Sequence, residues 1–417
     1  MTVATKKNNL VTSKLPLTNA SISAQSRKNA IDTLANTALP TTRTEAWKYT
    51  RVAKLGKIDF HNEKAKIDPI SNFTIDDTKC SFVFVNGHFD AELSSSEIPA
   101  GVSCTLISEE KEFPETTLKL EGEVFHALNT AYLTGGLHIS IENKAQVDQP
   151  IQIIHVLKGD AIASNFKTII HAGKSSKASI IQGFFSEGDG TNFCNTTTEI
   201  DVAENAFLSL EKIQYESESS YHISTEQVQQ AKNSTFTINT ITLNGRLVRN
   251  NVNIEVNGEN CTSNLNGAYL LKNKQHVDNH SVVDHKVANC ESHELYKGVI
   301  DDNSTAVFNG KVYVRPNAQK INAFQSNANV LLSDDATINS KPELEIYADD
   351  VKCSHGSTTG QLDEEAVFYL RARGISEKAA RKLMVSAFIG DVLGKIENES
   401  VLSFVHDLLN ERFDWEF

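Results

Sequence analysis

A cysteine and a histidine two residues apart, Cys353 and His355, are the first residues in this sequence whose types and spacing suggest chemistry. In an extended chain, residues i and i+2 point to the same side and lie about 6.5–7 Å apart. A thiol and an imidazole on one face suit iron or zinc. Two ligands do not complete a site, so the others would come from elsewhere in the fold or from a partner. On pattern alone, a buried thiol beside a surface histidine is the favoured alternative.

A second candidate is the histidine-rich segment that contains His276, His280 and His285, followed by His293. His276 and His280 would stack on one face of a helix, but the segment has the pattern of a strand and a turn. In a strand, positions 276, 278 and 280 share one face, which would permit a compact metal site. Solvated or hydrogen-bonded histidines of a strand are the favoured interpretation.

Three pairs of adjacent aspartates, at 301–302, 334–335 and 349–350, support a different hypothesis. Glycosidases need two carboxylates that flank the scissile bond. A carbohydrate-active β-helix enzyme is therefore the alternative function. Adjacent acids in strands or turns usually face solvent, however, and no secretion signal is evident.

Other classes of function lack their signatures. The sequence contains no G-x-x-x-x-G-K-[ST] motif, no strand-linked G-x-G-x-x-G and no G-x-S-x-G elbow. The net charge of −13, from 40 basic and 53 acidic residues, argues against nucleic-acid binding. The six cysteines form no C-x-x-C pair, which indicates free thiols in a reducing compartment rather than disulfides or a self-contained metal cluster. They are Cys80, Cys104, Cys194, Cys261, Cys290 and Cys353.

No segment has the composition of a membrane span, and residues 1–10 lack the apolar stretch of a secretory signal. The first acidic residue is Asp32, and the preceding residues are rich in Ser, Thr and Lys. We therefore expect a cytoplasmic protein that does not bind membranes. The alternative is a plastid protein in which residues 1–31 are a transit peptide.

The elements that must position these residues fall into three regions. In residues 1–122, the pattern predicts a helix over residues 20–39, ended by Pro40, and a strand over 81–85 followed by an Asn86-Gly87 turn. Residues 362–417 predict three helices that form a C-terminal helical domain. These helices are predicted over residues 363–373, from Ser376 onward and over residues 400–413, and each carries a stripe of apolar residues. Leu383 lies on the apolar stripe of the second helix.

Residues 123–361 show strand patterns almost throughout, with apolar and polar residues alternating in short runs such as 137–141, 151–154, 235–241 and 251–256. N-C-x-S at 260–263 recurs at 289–292, and the D-D segment at 301–305 is echoed at 334–337, shifts of 29 and of 32 or 33. Such shifts favour a β-helix, in which apolar side chains stack inward and Asn and Ser occupy the corners. Two sandwiches or a large barrel are the alternatives.

Several segments resemble the SufB/SufD family of iron–sulfur cluster assembly proteins. The segment R-T-E-A-W-K-Y-T at 43–50 and K-C-S-H-G at 352–356 have the form of the SufD branch, whereas SufB has a Glu-His pair in the second stretch. Residues 296–300, 308–314 and 344–356 resemble the last solenoid turns of the family, and residues 359–374 resemble the start of its helical domain.

This resemblance implies a right-handed parallel β-helix core (residues 123–361) between an N-terminal mixed domain (1–122) and a C-terminal helical domain (362–417). It implies a non-catalytic scaffold subunit that pairs with SufB through the β-helix and binds the ATPase SufC through its C-terminal helices. A nascent iron–sulfur cluster would form at the SufB interface, where His355 matches the implicated histidine and Cys353 is second in rank.

The resemblance also implies that no cofactor is stably bound by the chain alone. Reduced flavin is reported for the family's complex, but the resemblance assigns it no residues in this sequence. A homodimer of the isolated chain is left open.

Overall fold

The computed structural model describes residue 15 and residues 24–68, 70–75, 78–109, 118 and 122–413. Most of the basic segment 1–31 and the start of the predicted helix at residue 20 lie outside these ranges. Within them, no helix is long and apolar enough to cross a membrane. The α-helices are α1 (Ala24–Asn36), α2 (Val124–Ala131), α3 (Glu364–Arg371), α4 (Glu377–Leu393) and α5 (Glu399–Phe413).

Two long sheets contain the strands of the described residues. The ten-stranded sheet is built, from its last strand to its first, of β19 (Val351–Gln361), β17 (Ile321–Leu331), β15 (Glu291–Ile300), β13 (Thr262–Leu271), β11 (Thr235–Asn244), β9 (Phe207–Tyr215), β7 (Lys177–Glu187), β5 (Ile151–Lys158), β1 (Cys80–Val85) and β2 (His88–Ser96). The nine-stranded sheet is built of β18 (Thr337–Ile346), β16 (Thr305–Val314), β14 (His276–His285), β12 (Leu247–Val256), β10 (Tyr221–Gln230), β8 (Phe193–Val202), β6 (Ala163–Ala172), β4 (Gly135–Ile141) and β3 (Val102–Leu106).

The chain alternates between these sheets, and from β4 to β19 each strand pairs in parallel with the second strand after it. Tyr221 lies opposite Leu247 and Thr305 lies opposite Thr337, so a turn takes between 26 and 32 residues. The fold is a parallel β-solenoid of about eight turns, which confirms the β-helix prediction over the sandwich and barrel alternatives.

The corners of the solenoid explain the repeat seen in the sequence. Asn205, Asn233, Asn260 and Asn289 occupy equivalent corners with φ between 58° and 61°, a left-handed conformation that asparagine tolerates well. The Asn233 side chain donates to Asn205 Oδ1 at 2.9 Å, and that of Asn260 donates to Asn233 Oδ1 at 3.0 Å. The predicted polar corners are therefore side-chain ladders that tie successive turns together.

The first region extends the solenoid sheets. Strand β1 pairs in parallel with β5 and in antiparallel with β2, through the predicted Asn86-Gly87 turn, whose φ angles are 53° and 82°. Strand β3 pairs in antiparallel with β4. The strand pattern did not indicate α2, an eight-residue apolar helix that packs between α1 and strands β6 and β8.

The C-terminal helices form where predicted, although α3 ends at Arg371 rather than Arg373 and α5 begins at Glu399 rather than Ser400. The Asp363 side chain accepts from the backbone amides of residues 365 and 366, Ser376 Oγ accepts from that of residue 379, and Gly374 has a φ of 89°. Leu383, predicted on the apolar stripe, is instead 52% exposed.

The helices α4 and α5 lie along the side of the solenoid rather than across its end. Helix α4 packs against β13 and β15, and α5 packs against β11. The outer face of these strands is apolar and includes Leu270 and Val299, which are buried in one cluster with Val385, Ile389 and Val405 of the helices. Burial of that face explains the helix position, and it leaves the last solenoid turn open.

Candidate functional site

An inward-facing column of side chains runs along the ten-stranded sheet and ends at His355. Register aligns one residue from each of eight parallel strands, and the first five are aliphatic and at most 1% exposed. The last three positions are Glu294, Gln325 and His355. The column comprises Ile151, Ile180, Leu210, Ile238, Leu265, Glu294, Gln325 and His355. The interior therefore changes from apolar to polar as it approaches the open turn.

The last turn consists of β18 and β19, the terminal strands of the two sheets. Because no further turn stacks on them among the described residues, their inward side chains are accessible. His355 is exposed, whereas Cys353 is half-buried and packs against the core. Ser340 Oγ and Ser357 Oγ lie 2.8 Å apart and join the two sheets. The predicted pair thus lies on one strand at an open end, as alternate residues of β19.

The pair presents a thiol and an imidazole at the open end of the solenoid. Burial raises the pKa of the Cys353 thiol above its ordinary value, so this thiol stays protonated at neutral pH unless a metal ion displaces the proton. An imidazole can serve as a metal ligand or as a base. The last strand thus places two soft or borderline donors at the open end of the solenoid.

Two buried polar residues lie beneath His355 in the column. Gln325 Nε2 donates to Glu294 Oε2 at 2.8 Å, and Ser281 Oγ donates to Glu294 Oε1. Gln325 Oε1 is buried and has no hydrogen-bond partner among the described residues. This acceptor belongs to the residue paired in register with His355.

Glu294 should make stability depend on pH. Burial raises its pKa from 4.5 to about 7, against the opposing effect of the hydrogen bonds from Ser281 and Gln325. Between these values the folded chain keeps a proton that the unfolded chain releases. The free energy of unfolding therefore falls as pH rises from about 4.5 to 7, by at most about 3 kcal/mol for this group. We expect Glu294→Gln to flatten this decline in denaturant unfolding measured across the range.

A remaining decline is expected in that variant because burial also raises the pKa of Glu211 to about 7. The matched control is Glu291→Gln, which alters a half-exposed carboxylate on the same strand. If the free energy of unfolding declined with pH equally in the wild type, Glu294→Gln and Glu291→Gln, the assignment of this decline to Glu294 would be contradicted.

The structure brings together two of the three alternative histidines, His276 and His280, around Asp278. His280 Nε2 lies 2.9 Å from Asp278 Oδ1, and His276 Nε2 lies 2.9 Å from Thr50 Oγ1. Thr50 Oγ1 also donates to Asp278 Oδ2, and Arg249 donates to the same oxygen at 2.6 Å. Burial opposes ionisation of Asp278, but Arg249 and His280 hold its pKa well below its ordinary value.

This cluster fastens the N-terminal segment to the solenoid. The Arg249 guanidinium lies 3.9 Å from the centroid of the Trp47 ring and donates to the Ala46 carbonyl at 2.8 Å. Trp47 and Thr50 belong to the R-T-E-A-W-K-Y-T segment that carried the resemblance. This segment therefore packs the N-terminal region against the solenoid of the same chain. His285 lies elsewhere, buried, with its Nε2 3.0 Å from Ser292 Oγ.

The paired aspartates that motivated the carbohydrate hypothesis occur at corners. Asp302 has a φ of 50°, and its Oδ2 accepts from the backbone amide of Asn273 at 2.8 Å. Asp301 Oδ1 accepts from the amide of Asp302 at 2.8 Å. These carboxylates are engaged in turn formation, which accounts for the adjacent acids in the sequence.

Sequence reasoning missed a buried group of Cys194, Glu216 and His222. One ligand atom from each lies within 4.8 Å of the others, and among the described residues it is the one such group of three or more. The members come from separate strands or corners, so no local motif marks them. The only available signal in the sequence was that polar residues occupy alternate, inward-facing positions of strands β8 and β10.

The comparisons with known proteins identify the family. Residues 155–388 match the model for the SUF system FeS cluster assembly SufBD core domain, and residues 10–153 match the model for the SufBD protein N-terminal region. The first match alone covers more than half of the chain. The terminal turn, with Cys353 and His355, lies within it.

Relatives align over nearly the whole chain. The Escherichia coli iron–sulfur cluster assembly protein SufD is 29% identical over 91% of this chain and 90% of its own length. An iron–sulfur cluster assembly SufBD family protein of Synechocystis is 32% identical over 91% and 88%, respectively. Protein ABCI7, chloroplastic, of Arabidopsis thaliana is 28% identical over 90% and 83%. The chain belongs to the SufBD family of iron–sulfur cluster assembly proteins.

Proposed function

We propose that this chain is a non-catalytic scaffold subunit that pairs with SufB and binds the ATPase SufC, so that a nascent iron–sulfur cluster is built at the SufB interface. The observation that carries the proposal is the open last turn. Here the inward-facing column passes through the buried polar residues Glu294 and Gln325 and ends on His355, two residues after Cys353. The cluster is the cargo of this site and is not held stably by one chain.

Pairing with SufB would use the open end of the solenoid. In the described part of the chain, the outer edges of β18 and β19 carry no further strand. Unpaired strand edges offer backbone N–H and C=O groups to a partner strand. Tyr347, which follows β18, is 58% exposed and Ile346 is 39% exposed, so apolar anchors flank this edge. A homodimer through the same edge is the alternative occupant.

His355 would act as an iron ligand, or as a base toward a thiol or persulfide, and Cys353 would assist. The remaining ligands would come from SufB. Reduced flavin remains a proposal for the assembled complex, without assigned residues here. We further propose cytoplasmic localisation, with a plastid as the alternative because one relative carries the name chloroplastic.

SufC binding would use the exposed side of the C-terminal helices. Phe368 and Tyr369 of α3 are 69% and 58% exposed, and Leu383 of α4 is also largely exposed. Their neighbours Val367 and Val385 point into the core. A helix pair that presents large apolar side chains to solvent has the character of a docking surface.

Co-expression tests the proposed function. SufB and SufC should co-elute with the full-length chain, and reconstitution on the complex should yield a cluster. Purified alone, the chain should hydrolyse no ATP and retain no iron–sulfur absorbance after desalting, because neither site is complete within it. A carbohydrate-active enzyme would elute alone and release sugars. Elution without SufB, or a stoichiometric cluster on the isolated chain, would refute the proposal.

A further inference from the structure

Three side chains from neighbouring strands and corners meet inside the solenoid, away from the open turn. Cys194 lies on β8, His222 lies on β10, and Glu216 directly follows β9. They are 2%, 0% and 1% exposed, respectively, and their ligand atoms lie within 4.8 Å of one another. Thiolate, imidazole and carboxylate are the three side-chain groups that bind Zn²⁺ in proteins.

The hydrogen bonds of this group leave one carboxylate oxygen without a partner, whereas both ring nitrogens of His222 have partners, among them Gln214 Nε2 at 3.3 Å from Nδ1. His222 Nδ1 lies 2.7 Å from Glu216 Oε2, and His222 Nε2 lies 3.3 Å from Thr196 Oγ1. The other carboxylate oxygen, Glu216 Oε1, is buried without a hydrogen-bond partner in the described ranges. An unpartnered carboxylate oxygen is costly in a dry interior, so it calls for a ligand.

A divalent cation would satisfy charge balance if Cys194 binds as the thiolate. The nearby Lys212 ammonium lies 2.7 Å from Glu226 Oε1, and both side chains are buried, so this pair is neutral on its own. Glu216 contributes one negative charge, and a Cys194 thiolate would contribute a second. A divalent ion bound to these two groups and to a neutral imidazole gives a site without net charge, which a buried environment requires.

We propose that Cys194, Glu216 and His222 bind one divalent transition-metal ion, with Zn²⁺ the best match. Bidentate coordination by Glu216 would supply four donor atoms from three residues. Ligand atoms from different residues of a four-coordinate zinc site lie about 3.3–3.8 Å apart. Ion binding would therefore replace the hydrogen bond between His222 Nδ1 and Glu216 Oε2, release the Cys194 thiol proton and require side-chain shifts of about 1 Å. With Nδ1 on the metal, Nε2–H donates to Thr196 Oγ1 and fixes the ring.

The ion would have a structural role, since it ties β8, β9 and β10 together in the interior. Because all three ligands are buried, the ion would be taken up as the chain folds. The proposal does not rest on the proposed function: no part of it involves SufB, SufC or a cluster, and it concerns a different part of the solenoid from His355.

Metal analysis of the full-length protein tests it. The protein is produced with a tag that binds no metal, in medium supplemented with Zn²⁺, and is desalted before elemental analysis. We expect about one zinc ion per folded chain, and little in Cys194→Ser and His222→Asn. The matched control, Cys290→Ser, changes a buried cysteine outside the group and should retain the ion. Protein grown with Co²⁺ should show thiolate-to-cobalt charge-transfer absorption.

X-ray absorption on the wild-type protein keeps the test decisive if a variant fails to fold. One sulfur and two or more nitrogen or oxygen neighbours of zinc are expected. Wild-type protein without a stoichiometric ion, an ion without a sulfur neighbour, or full metal content in folded Cys194→Ser would overturn the proposal. The Glu216–His222 contact would then be a hydrogen-bonded pair only. None of these readouts depends on cluster assembly.

Discussion

Replacing His355 by alanine is expected to lower the yield of iron–sulfur cluster per assembled complex by about tenfold or more, the usual scale for a lost metal-site interaction. His355 is exposed on the last strand of the solenoid, and its side chain fills no cavity in the core. The free energy of unfolding should therefore change by no more than about 0.5 kcal/mol. Loss of chemistry without loss of folding distinguishes a functional residue from one that only supports the turn.

The measurement is the cluster absorbance per mole of purified complex with SufB and SufC, after reconstitution with iron and sulfide. Complex assembly is checked by size and subunit ratio, and folding by the melting temperature. The matched control is His171→Ala, because His171 is a half-exposed histidine on β6, far along the chain from the last turn. A wild-type yield in His355→Ala would remove His355 from the site.

Cys353→Ser in the same assay ranks the two residues. Cys353 is half-buried against the core, where serine preserves the size of the side chain but removes the thiol. A modest loss would leave Cys353 as a packing residue. A loss equal to that of His355→Ala would make both residues direct participants.

The solenoid was predictable because its repeat is written in local chemistry. The N-C-x-S motifs at 260 and 289 mark stacked corners, where only a few residue types tolerate a positive φ. The alternation of apolar and polar residues predicted the strands. The short helix α2 escaped notice because it is only eight residues long, too short to establish a helical period within a strand-rich region.

Other features depended on register, which a single sequence does not supply. Glu294, Gln325 and His355 form one column only because successive turns place them at the same position, 31 and 30 residues apart. The position of helix α4 was also hidden. The apolar face that it covers, around Leu270 and Val299, lies on strands that alternate between core and outer surface.

For the candidate site too, the local spacing was predictable from the sequence, whereas the surroundings of the residues were not. The i, i+2 spacing of Cys353 and His355 predicted that the two residues share a face. The β-helix, predicted to end at residue 361, already placed the pair in the last turns. Sequence could not show that α4 and α5 pack on the side of the solenoid and leave this turn open, and this is the property that makes the pair accessible to a partner. Nor could it show that the histidines at 276 and 280 surround the Asp278 carboxylate, beside Thr50.

Truncation after Gly374 is expected to abolish SufC pull-down while SufB still binds, because α4 carries part of the proposed SufC surface and the last solenoid turn remains. The truncation also removes α4 and α5 from the apolar face of β11, β13 and β15. Part of its effect on SufC could then arise from an altered fold. Substitutions on the exposed side of the helices separate the two causes.

Phe368→Ala and Leu383→Ala remove exposed apolar side chains without opening the core, since the buried residues of their helices, such as Val367 and Val385, are untouched. If these residues are anchors, each should weaken SufC binding by about 30-fold, or about 2 kcal/mol, and the double variant should show none in pull-down. The melting temperature should remain near that of the wild type because both side chains are more than half exposed.

The matched control is Phe207→Ala, which removes another exposed phenylalanine, 50% accessible, from strand β9 of the solenoid. It should leave SufC binding unchanged, which shows that loss of surface hydrophobicity alone is not the cause. Binding is measured by titration with purified SufC, and SufB pull-down serves as the check on folding. Retained SufC binding by the double variant would refute the docking surface. Retained binding by the truncated chain, which keeps α3, would exclude α4 and α5 and leave α3, the solenoid or the N-terminal region as the SufC site. Loss in the truncated chain alone, with the double variant intact and SufB binding and the melting temperature of the truncated chain unchanged, would place the anchors on α5 or on the other side of α4.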